Sequence, residues 1–267
     1  MLKYFGIEVI IMNKRIVVKV GTSSLTHENG KINIRQLEKL VRVISELVNT
    51  GNQIILVSSG AVGAGVGKLG LPEKPEEIRK KQALAAIGQA SLVSMYDRFF
   101  SEYGYNAAQV LLTKYVFDNK QKYENTKNAF MTMLEYGVIP IVNENDVVST
   151  EELEFGDNDT LSAYVSVLVD ADLLIIMSDI DGLYDSDPSE NPDAEIIEIV
   201  EEINEEILSS AGGAGSRRGT GGMKTKLNAA EIVMKNGIDM IITNGKRIEN
   251  LYDICDGKKV GTYFKAK

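Results

Sequence analysis

The sequence predicts an α/β protein, a three-layer αβα sandwich with an open, mostly parallel central sheet. Six short aliphatic runs carry that reading: RIVVKV, QIILVS, AAQVLL, VIPIV, DLLIIMS and IDMIIT. Each is rich in Val and Ile and apolar at consecutive positions, as strands buried on both faces are. Longer segments of helical character lie between them. A β-α-β-α alternation of this kind places helices on both faces of a parallel sheet.

The elements follow in order. The opening MLKYFGIEVIIMNK, residues 1–14, is mildly apolar, without a charged leader or a small-residue cleavage site. It reads as an N-terminal extension: an added strand, or a stretch ahead of a start at Met12. Residues 15–267 read as one domain. After RIVVKV, Leu37, Val41, Ile44 and Val48 recur at helical spacing, and Gly51 is a plausible stop. QIILVS is followed by the helical KKQALAAIGQASLVSMYDRFF, and AAQVLL by TKNAFMTMLEYG. After VIPIV, GDNDTLSAYVSVLVDAD reads as a helix capped by Asp157 or Asp159. TKLNAAEIVMKNG is a helix between DLLIIMS and IDMIIT, and the stretches Asp185 to Asp193 and Gly212 to Gly222 are surface loops.

Bulk composition excludes several functions. A net charge of −9 and a pI near 4.9 oppose nucleic acid binding, which needs basic residues to displace counterions. An anionic ligand must therefore be held by local cations and backbone dipoles. Cys255 is the single cysteine, so no internal disulfide forms and a reducing, cytoplasmic setting fits. No apolar run reaches membrane-spanning length, so no membrane partner is expected. His27 is the one histidine, which makes Ser-His-Asp chemistry improbable.

In open parallel sheets, ligands bind beyond the carboxyl ends of the strands. The polar motifs follow strands or lie in turns close after them. In KVGTSSLT, Gly21, Thr22 and Ser23 suit a phosphate cradle, and Lys19, set between valines, is a partly buried charge that needs a partner. Ser58, Ser59 and Gly60 end QIILVS, where amides and a hydroxyl suit a carboxylate or phosphate. The match of Gly65 to Gly70 with G-x-G-x-x-G begins too far past the strand and runs into Leu71-Pro72, so a dinucleotide site is rejected. A small-residue helix packed on the sheet explains those glycines.

Asn143, Glu144, Asn145 and Asp146 follow VIPIV and suit a substrate ammonium group. Asp157, Asn158 and Asp159 exceed what a helix cap needs, and Asp159 is placed to pair with a catalytic lysine and orient it. The acids form no convincing metal set, and SDIDGLYDSD fails the calcium-loop spacing. RRGTGGMKTK leads into a helix, the geometry for anions at a helix N-terminus, though it is not a Walker A sequence. Two glycine-bracketed lysines, Lys19 and Lys226, with an acid-and-amide set between them are what phosphate transfer between two anions requires. The chain reads as a kinase of a small carboxylate-bearing metabolite.

In series, KVGTSSLT, SSGAVGAG, VNENDVVS, FGDNDTLSA, SDIDGLY and GTGGMKTKLNAA resemble the amino acid kinase family, from about Arg15 to Phe264. Within it they are most similar to the members that phosphorylate glutamate. Isopentenyl phosphate, uridylate and carbamate kinases share the scaffold but are not expected to combine NEND with GDND. The resemblance implies an amino acid kinase-like fold, with an acceptor half at about residues 15–150 and a nucleotide half at about 151–267, divided near Ser149 to Phe155. It implies Lys19 and Lys226 as phosphate-stabilising lysines organised by Asp159. Ser59, Asp146 and Asn158, with Gly60, Asn143 and Asp157 beside them, become positions for L-glutamate. Lys19, Gly21, Ser178, Asp179 and the run Thr220, Gly221, Gly222, Met223, Lys224, Thr225 and Lys226 become nucleotide-binding positions.

The resemblance also implies ATP with Mg²⁺ as co-substrate, transfer to the glutamate γ-carboxylate as the first step of proline biosynthesis, and a homo-oligomer. Proline is the implied feedback inhibitor, and a glutamyl phosphate reductase the consumer of the product. Many members carry a C-terminal RNA-binding-like PUA domain, and a chain ending just after GTYF reads as a form without it. Two alternatives stay open: a related kinase of another small acid such as N-acetylglutamate, and a non-catalytic ATP or amino-acid sensor.

Overall fold

A computed structural model describes residues 2–4, 7–9, 13–27, 31–148, 157–188, 190–210 and 222–267. The six aliphatic runs are the six longest strands: β3 (Arg15–Val20), β4 (Gln53–Ser58), β5 (Ala107–Leu112), β6 (Ile139–Glu144), β7 (Leu173–Ser178) and β9 (Asp239–Asn244). They are all mutually parallel, in the order β5-β6-β4-β3-β7-β9. Two short strands complete an eight-stranded sheet. β10 (Thr262–Phe264) runs antiparallel to β9, and β8 (Ile199–Val200) lies parallel to β10 at the edge. The predicted mostly parallel sheet is the one observed.

Alternation along each strand separates two cores. Ile16, Val18 and Val20 of β3 join Ile54 and Leu56 of β4 and Ile175 and Met177 of β7 on one face. That face is covered by α2 (Ile34–Asn49), α4 (Ile78–Glu102) and α10 (Asn250–Cys255). Val17, Ile55, Val57, Leu174 and Ile176 lie on the other, under α6 (Lys120–Glu135), α7 (Asn158–Leu168) and α9 (Met223–Lys235). Lys19 shares the parity of Val17, and so it emerges on the face that α7 and α9 cover. The remaining described helices are α1 (Thr22–Leu25), α3 (Ala61–Leu69), α5 (Tyr115–Asp118) and α8 (Glu205–Ser210). No helix of the described residues is long and apolar enough to cross a membrane.

Three expectations change. Among its described residues the opening segment adds nothing to the main sheet: β1 (Leu2–Tyr4) and β2 (Ile7–Val9) pair antiparallel with each other in a separate two-stranded ladder. AAQVLL is not buried on both faces, because β5 is an edge strand whose residues are mostly part-exposed. Gly65 of AVGAGVGKL serves helix-on-helix packing rather than a close approach to the sheet. A Cβ on Gly65 would lie 2.1 Å from the Leu84 carbonyl oxygen, and one on Gly88 would lie 1.8 Å from that of Ala61. The boundary expected near Ser149 to Phe155 lies outside the described residues.

Because that close approach leaves no room for a methyl group, Gly88→Ala forces α3 and α4 apart. Overpacking of this kind costs about 1–3 kcal/mol. A urea unfolding curve is expected to show that loss, and unchanged stability would contradict the packing described.

Candidate active site

Parallel strands bring their carboxyl ends to one rim, and the turns after β3, β4, β6, β7 and β9 gather there. Three charged side chains from distant parts of the chain meet below it. Lys19 comes from β3, Asp159 from the first turn of α7, and Lys226 from the first turn of α9. Lys19 Nζ lies 2.5 Å from Asp159 Oδ1, and Lys226 Nζ donates to Oδ2 at 3.1 Å. Thr225 Oγ1, which donates to the Gly222 carbonyl at 2.8 Å, lies 3.2 Å from Oδ2. Asp159 is fully buried, and the lysines are 8 % and 4 % exposed.

Burial alone would push the Asp159 carboxyl up. The charges of Lys19 and Lys226, and their hydrogen bonds, outweigh it and hold the group below the ordinary carboxylate range. Two ammonium groups share this one carboxylate, in a protein of net charge −9. Asp159, which the sequence reading sets beside one lysine, pairs with both Lys19 and Lys226.

Helix starts around this cluster are of two kinds. α7 is capped, with Asp157 accepting from the Thr160 amide at 2.9 Å, so the capping choice falls on Asp157. α3 and α9 begin after Gly60 and Gly222, and neither start has a side-chain cap. A glycine cap offers the first-turn N–H groups no side-chain acceptor of its own, which suits an anion site at a helix N-terminus. Gly60 sits at φ 106°, in the left-handed region that favours glycine. Gly21 follows β3 beside Lys19: a Cβ there would lie 3.8 Å from Nζ. Met223 is buried and Lys224 exposed in the first turn of α9, and Thr220 and Gly221 lie outside the described residues.

On one side of the lysines, amide and hydroxyl groups form a connected set. Asn158 Nδ2 donates to Ser59 Oγ at 2.7 Å and to Asn143 Oδ1 at 2.9 Å. Asn143 Nδ2 donates in turn to Gln89 Oε1 of α4 at 3.0 Å. Asp146 is in the turn directly after β6. Lys74, in the loop between α3 and α4, feels that carboxylate: burial and Lys81 lower its pKa, and Asp146 opposes them.

On the other side, Ser178 ends β7 and its hydroxyl donates to Asp179 Oδ1 at 3.1 Å. The turn after β9 closes against it. Gly245 N donates to the Ser178 carbonyl at 2.6 Å, and Asn244 Nδ2 to Asp181 Oδ1 at 2.7 Å. A Cβ on Gly245 would lie 2.4 Å from Ser24 Oγ, so the turns after β3 and β9 are also in contact.

Sequence reasoning missed Gln89, Asn244 and Gly245. Asn244 and Gly245 carried a readable signal, polar and glycine residues directly after a buried strand, the same signal that marked Asn143. Gln89 carried none, being one polar residue within a long helix. His27 is exposed. Cys255 is half-buried, and burial pushes its thiol up to about 12. Among the described residues no group of three or more His, Cys, Asp and Glu side chains could hold a metal ion.

Residues 14–244 match the model of the amino acid kinase family. The chain is 58% identical over 259 residues to a glutamate 5-kinase of Clostridium perfringens, covering 96% of each. The chain belongs to the amino acid kinase family. This amino acid kinase is also 55% identical over 250 residues to a glutamate 5-kinase of Caldanaerobacter subterraneus, covering 94% of the chain and 67% of that longer relative. Its fold is that of a carbamate kinase from Giardia lamblia bound to AMP-PNP, with a TM-score of 0.67 at 19% identity, 96% of the chain and all of that structure being covered.

Asp159 ties the kinase's stability to pH in a defined direction. A carboxylate whose folded pKa is depressed stabilises the protein above its unfolded pKa, about 3.9, and loses that contribution as pH falls through the folded value. Asp159→Asn removes the carboxylate that two buried ammonium groups share and is expected to cost about 3–5 kcal/mol near neutrality. Urea unfolding across pH is expected to show the gap between variant and parent narrowing below about pH 4. A gap that stays constant with pH would rule out the ion pairs as its source.

Proposed function

We propose that this amino acid kinase transfers the γ-phosphoryl group of ATP to the γ-carboxylate of L-glutamate, giving L-glutamyl 5-phosphate. One observation supports this above the rest: two buried lysines from opposite ends of the chain share the single carboxylate of Asp159. Identities of 55–58% to glutamate 5-kinases over nearly the whole chain support the choice of acceptor.

The chemistry asks little of a general base. The unperturbed pKa of a glutamate side chain is about 4.3, so the nucleophile is ionised at neutrality. A γ-carboxylate oxygen forms a bond to the γ-phosphorus while the bond from phosphorus to the β–γ bridging oxygen breaks. The electron pair leaves on ADP, and no proton moves. The barrier lies in bringing an anion onto a polyanion, so alignment and fixed cations carry the catalysis. Lys19 and Lys226 act on the equatorial oxygens of the group in flight. Asp159 fixes both ammonium groups beforehand, so little reorganisation is left for the transition state.

The nucleotide polyphosphate lies over Gly21, the uncapped start of α9 and Thr220 to Lys226, with Ser178 and Asp179 towards its nucleoside end. Mg²⁺ enters with ATP, as part of the substrate. Both oxygens of Asp159 are already engaged by Lys19 and Lys226, so Asp159 is not its ligand. Phosphate oxygens and water suit that ion instead.

Glutamate lies at the amide-lined end. Ser59 and the Gly60 turn take a carboxylate, and Asp146 with Asn158 and Asn143 takes the ammonium group. Asp157 acts through the helix it caps. On this reading residues about 15–150 form the acceptor half and about 151–267 the nucleotide half. The family resemblance adds a homo-oligomer in the cytoplasm, inhibition by proline, and a glutamyl phosphate reductase that consumes the labile acyl phosphate in proline synthesis.

A coupled ADP-release assay with glutamate and N-acetylglutamate tests the acceptor, and turnover is expected with free glutamate. Lys226→Ala is expected to lower kcat by about 100-fold or more with a far smaller change in the glutamate KM, as for a charge acting mainly in the transition state. Full turnover in that variant removes Lys226 from the mechanism. Asp146→Ala is expected to raise chiefly the glutamate KM, and a rise confined to the ATP KM reverses the assignment of the two ends.

A further inference from the structure

Four side chains from four elements form one hydrogen-bonded line: Gln89 of α4, Asn143 of β6, Asn158 of α7 and Ser59 after β4. The links are Asn143 Nδ2 to Gln89 Oε1 at 3.0 Å, Asn158 Nδ2 to Asn143 Oδ1 at 2.9 Å, and Asn158 Nδ2 to Ser59 Oγ at 2.7 Å. Gln89 and Asn143 are 7 % and 4 % exposed.

Every link has a direction. A side-chain amide presents a donor at one atom and an acceptor at the other, and only its partners decide which faces where. Gln89 presents its oxygen to Asn143, so Asn143 must present Nδ2 to Gln89 and Oδ1 to Asn158. Asn158 then commits both its N–H groups, to Asn143 and to Ser59. What Asn158 keeps for a ligand is Oδ1, an acceptor. Ser59 accepts from Asn158, which leaves its hydroxyl hydrogen to donate. One acceptor suited to an ammonium group and one donor suited to a carboxylate result, and these are the two charged groups on the α-carbon of an amino acid. Were Asn143 reversed, Asn158 would present N–H groups where an ammonium must bind, and the Ser59 hydroxyl would be drawn to Asn158.

α4 is seated to hold Gln89 in place at the end of that line. The Gly65–Leu84 and Gly88–Ala61 approaches seat it against α3, the helix that starts directly after Ser59 and Gly60. Seven residues along the same face from Gln89, Tyr96 OH lies 2.9 Å from Ser58 Oγ. One rigid helix thus holds the ends of β4 and β6 in fixed relation, without itself lying in any strand-end motif.

We infer that Gln89 is a positioning residue that sets the donor–acceptor polarity of the acceptor site, and through it the selection of an α-amino acid over the same diacid lacking the ammonium group. The inference rests on the acceptor reading above, with glutarate as the probe, because it differs from glutamate only by that group. In the parent enzyme, turnover of glutamate in the ADP-release assay must come first. Its absence would refute the acceptor reading itself and leave the role of Gln89 without foundation.

Given that turnover, Gln89→Met keeps the length of the side chain and removes its polarity. It is expected to weaken glutamate, measured as KM, about tenfold or more relative to glutarate, measured as a competitive inhibitor, with the ATP KM little changed. General loosening of the site would weaken both acids alike, so an equal effect on the two, or none, overturns the inference. Gln89→Leu repeats the test with a different shape, and thermal unfolding checks that each variant is folded. Gln89→Glu keeps an acceptor facing Asn143 and is expected to restore discrimination to within about threefold of the parent. Discrimination lost equally in the Glu and Met variants would also overturn the inference.

Discussion

A single carboxylate between two ammonium groups is the constraint on which the rest of the molecule depends. Lys19 and Lys226 are like charges in a largely dry setting, and burying them there without an anion beside them would be costly. Asp159 supplies the anion and is itself kept ionised by them. The arrangement fixes much of the fold around it. β3 must present Lys19 on the face that carries α7 and α9, and both of those helices must aim their first turns at the carboxyl ends of the strands. A shift of β3 by one residue would move Lys19 to the opposite core, among Leu56 and Ile175.

The positive charge of those two lysines is local, set within a protein of net charge −9. The overall field repels phosphate, so attraction has to come from fixed groups at short range. Buried lysines held in place by an ion pair, and helix starts at Gly60 and Gly222 without side-chain caps, are groups of that type. α7, which carries Asp159, is treated differently: its own start is closed by Asp157. An open α7 start would leave amide groups competing for the same anions, and a capped one holds Asp159 and Asn158 in fixed positions.

The two flanks of the lysines differ in how they are built. Towards β7 and β9, turns of consecutive polar and glycine residues lock to one another through backbone groups, as in the Gly245 to Ser178 bond. Towards β4 and β6, side-chain amides carry the connections, and α4 gives them a fixed reference through Gln89 and Tyr96. Backbone locking suits a ligand recognised by its phosphates, which any amide can bind. Side-chain amides suit a small ligand that must be told from its near neighbours by where it carries charge.

The primary structure alone determined the sheet, because strands buried on both faces must be apolar at consecutive positions, and six such runs stand clear of their surroundings. It also marked Lys19, Asp159, Lys226, Ser59, Asn143 and Asp146, since charged or polar residues beside a buried strand or at a helix start need a reason to be there. Only the folded chain decided which of these meet. That Lys19 and Lys226 share one carboxylate depends on strand order and side-chain parity, and neither is written locally. The exposure of β5 follows from its place at the sheet edge, and Gly65 of AVGAGVGKL answers to α4 rather than to the sheet, because packing partners are chosen by topology. Gln89 was invisible for the same reason: a lone amide in a long helix gains meaning only from the buried Asn143 that it faces.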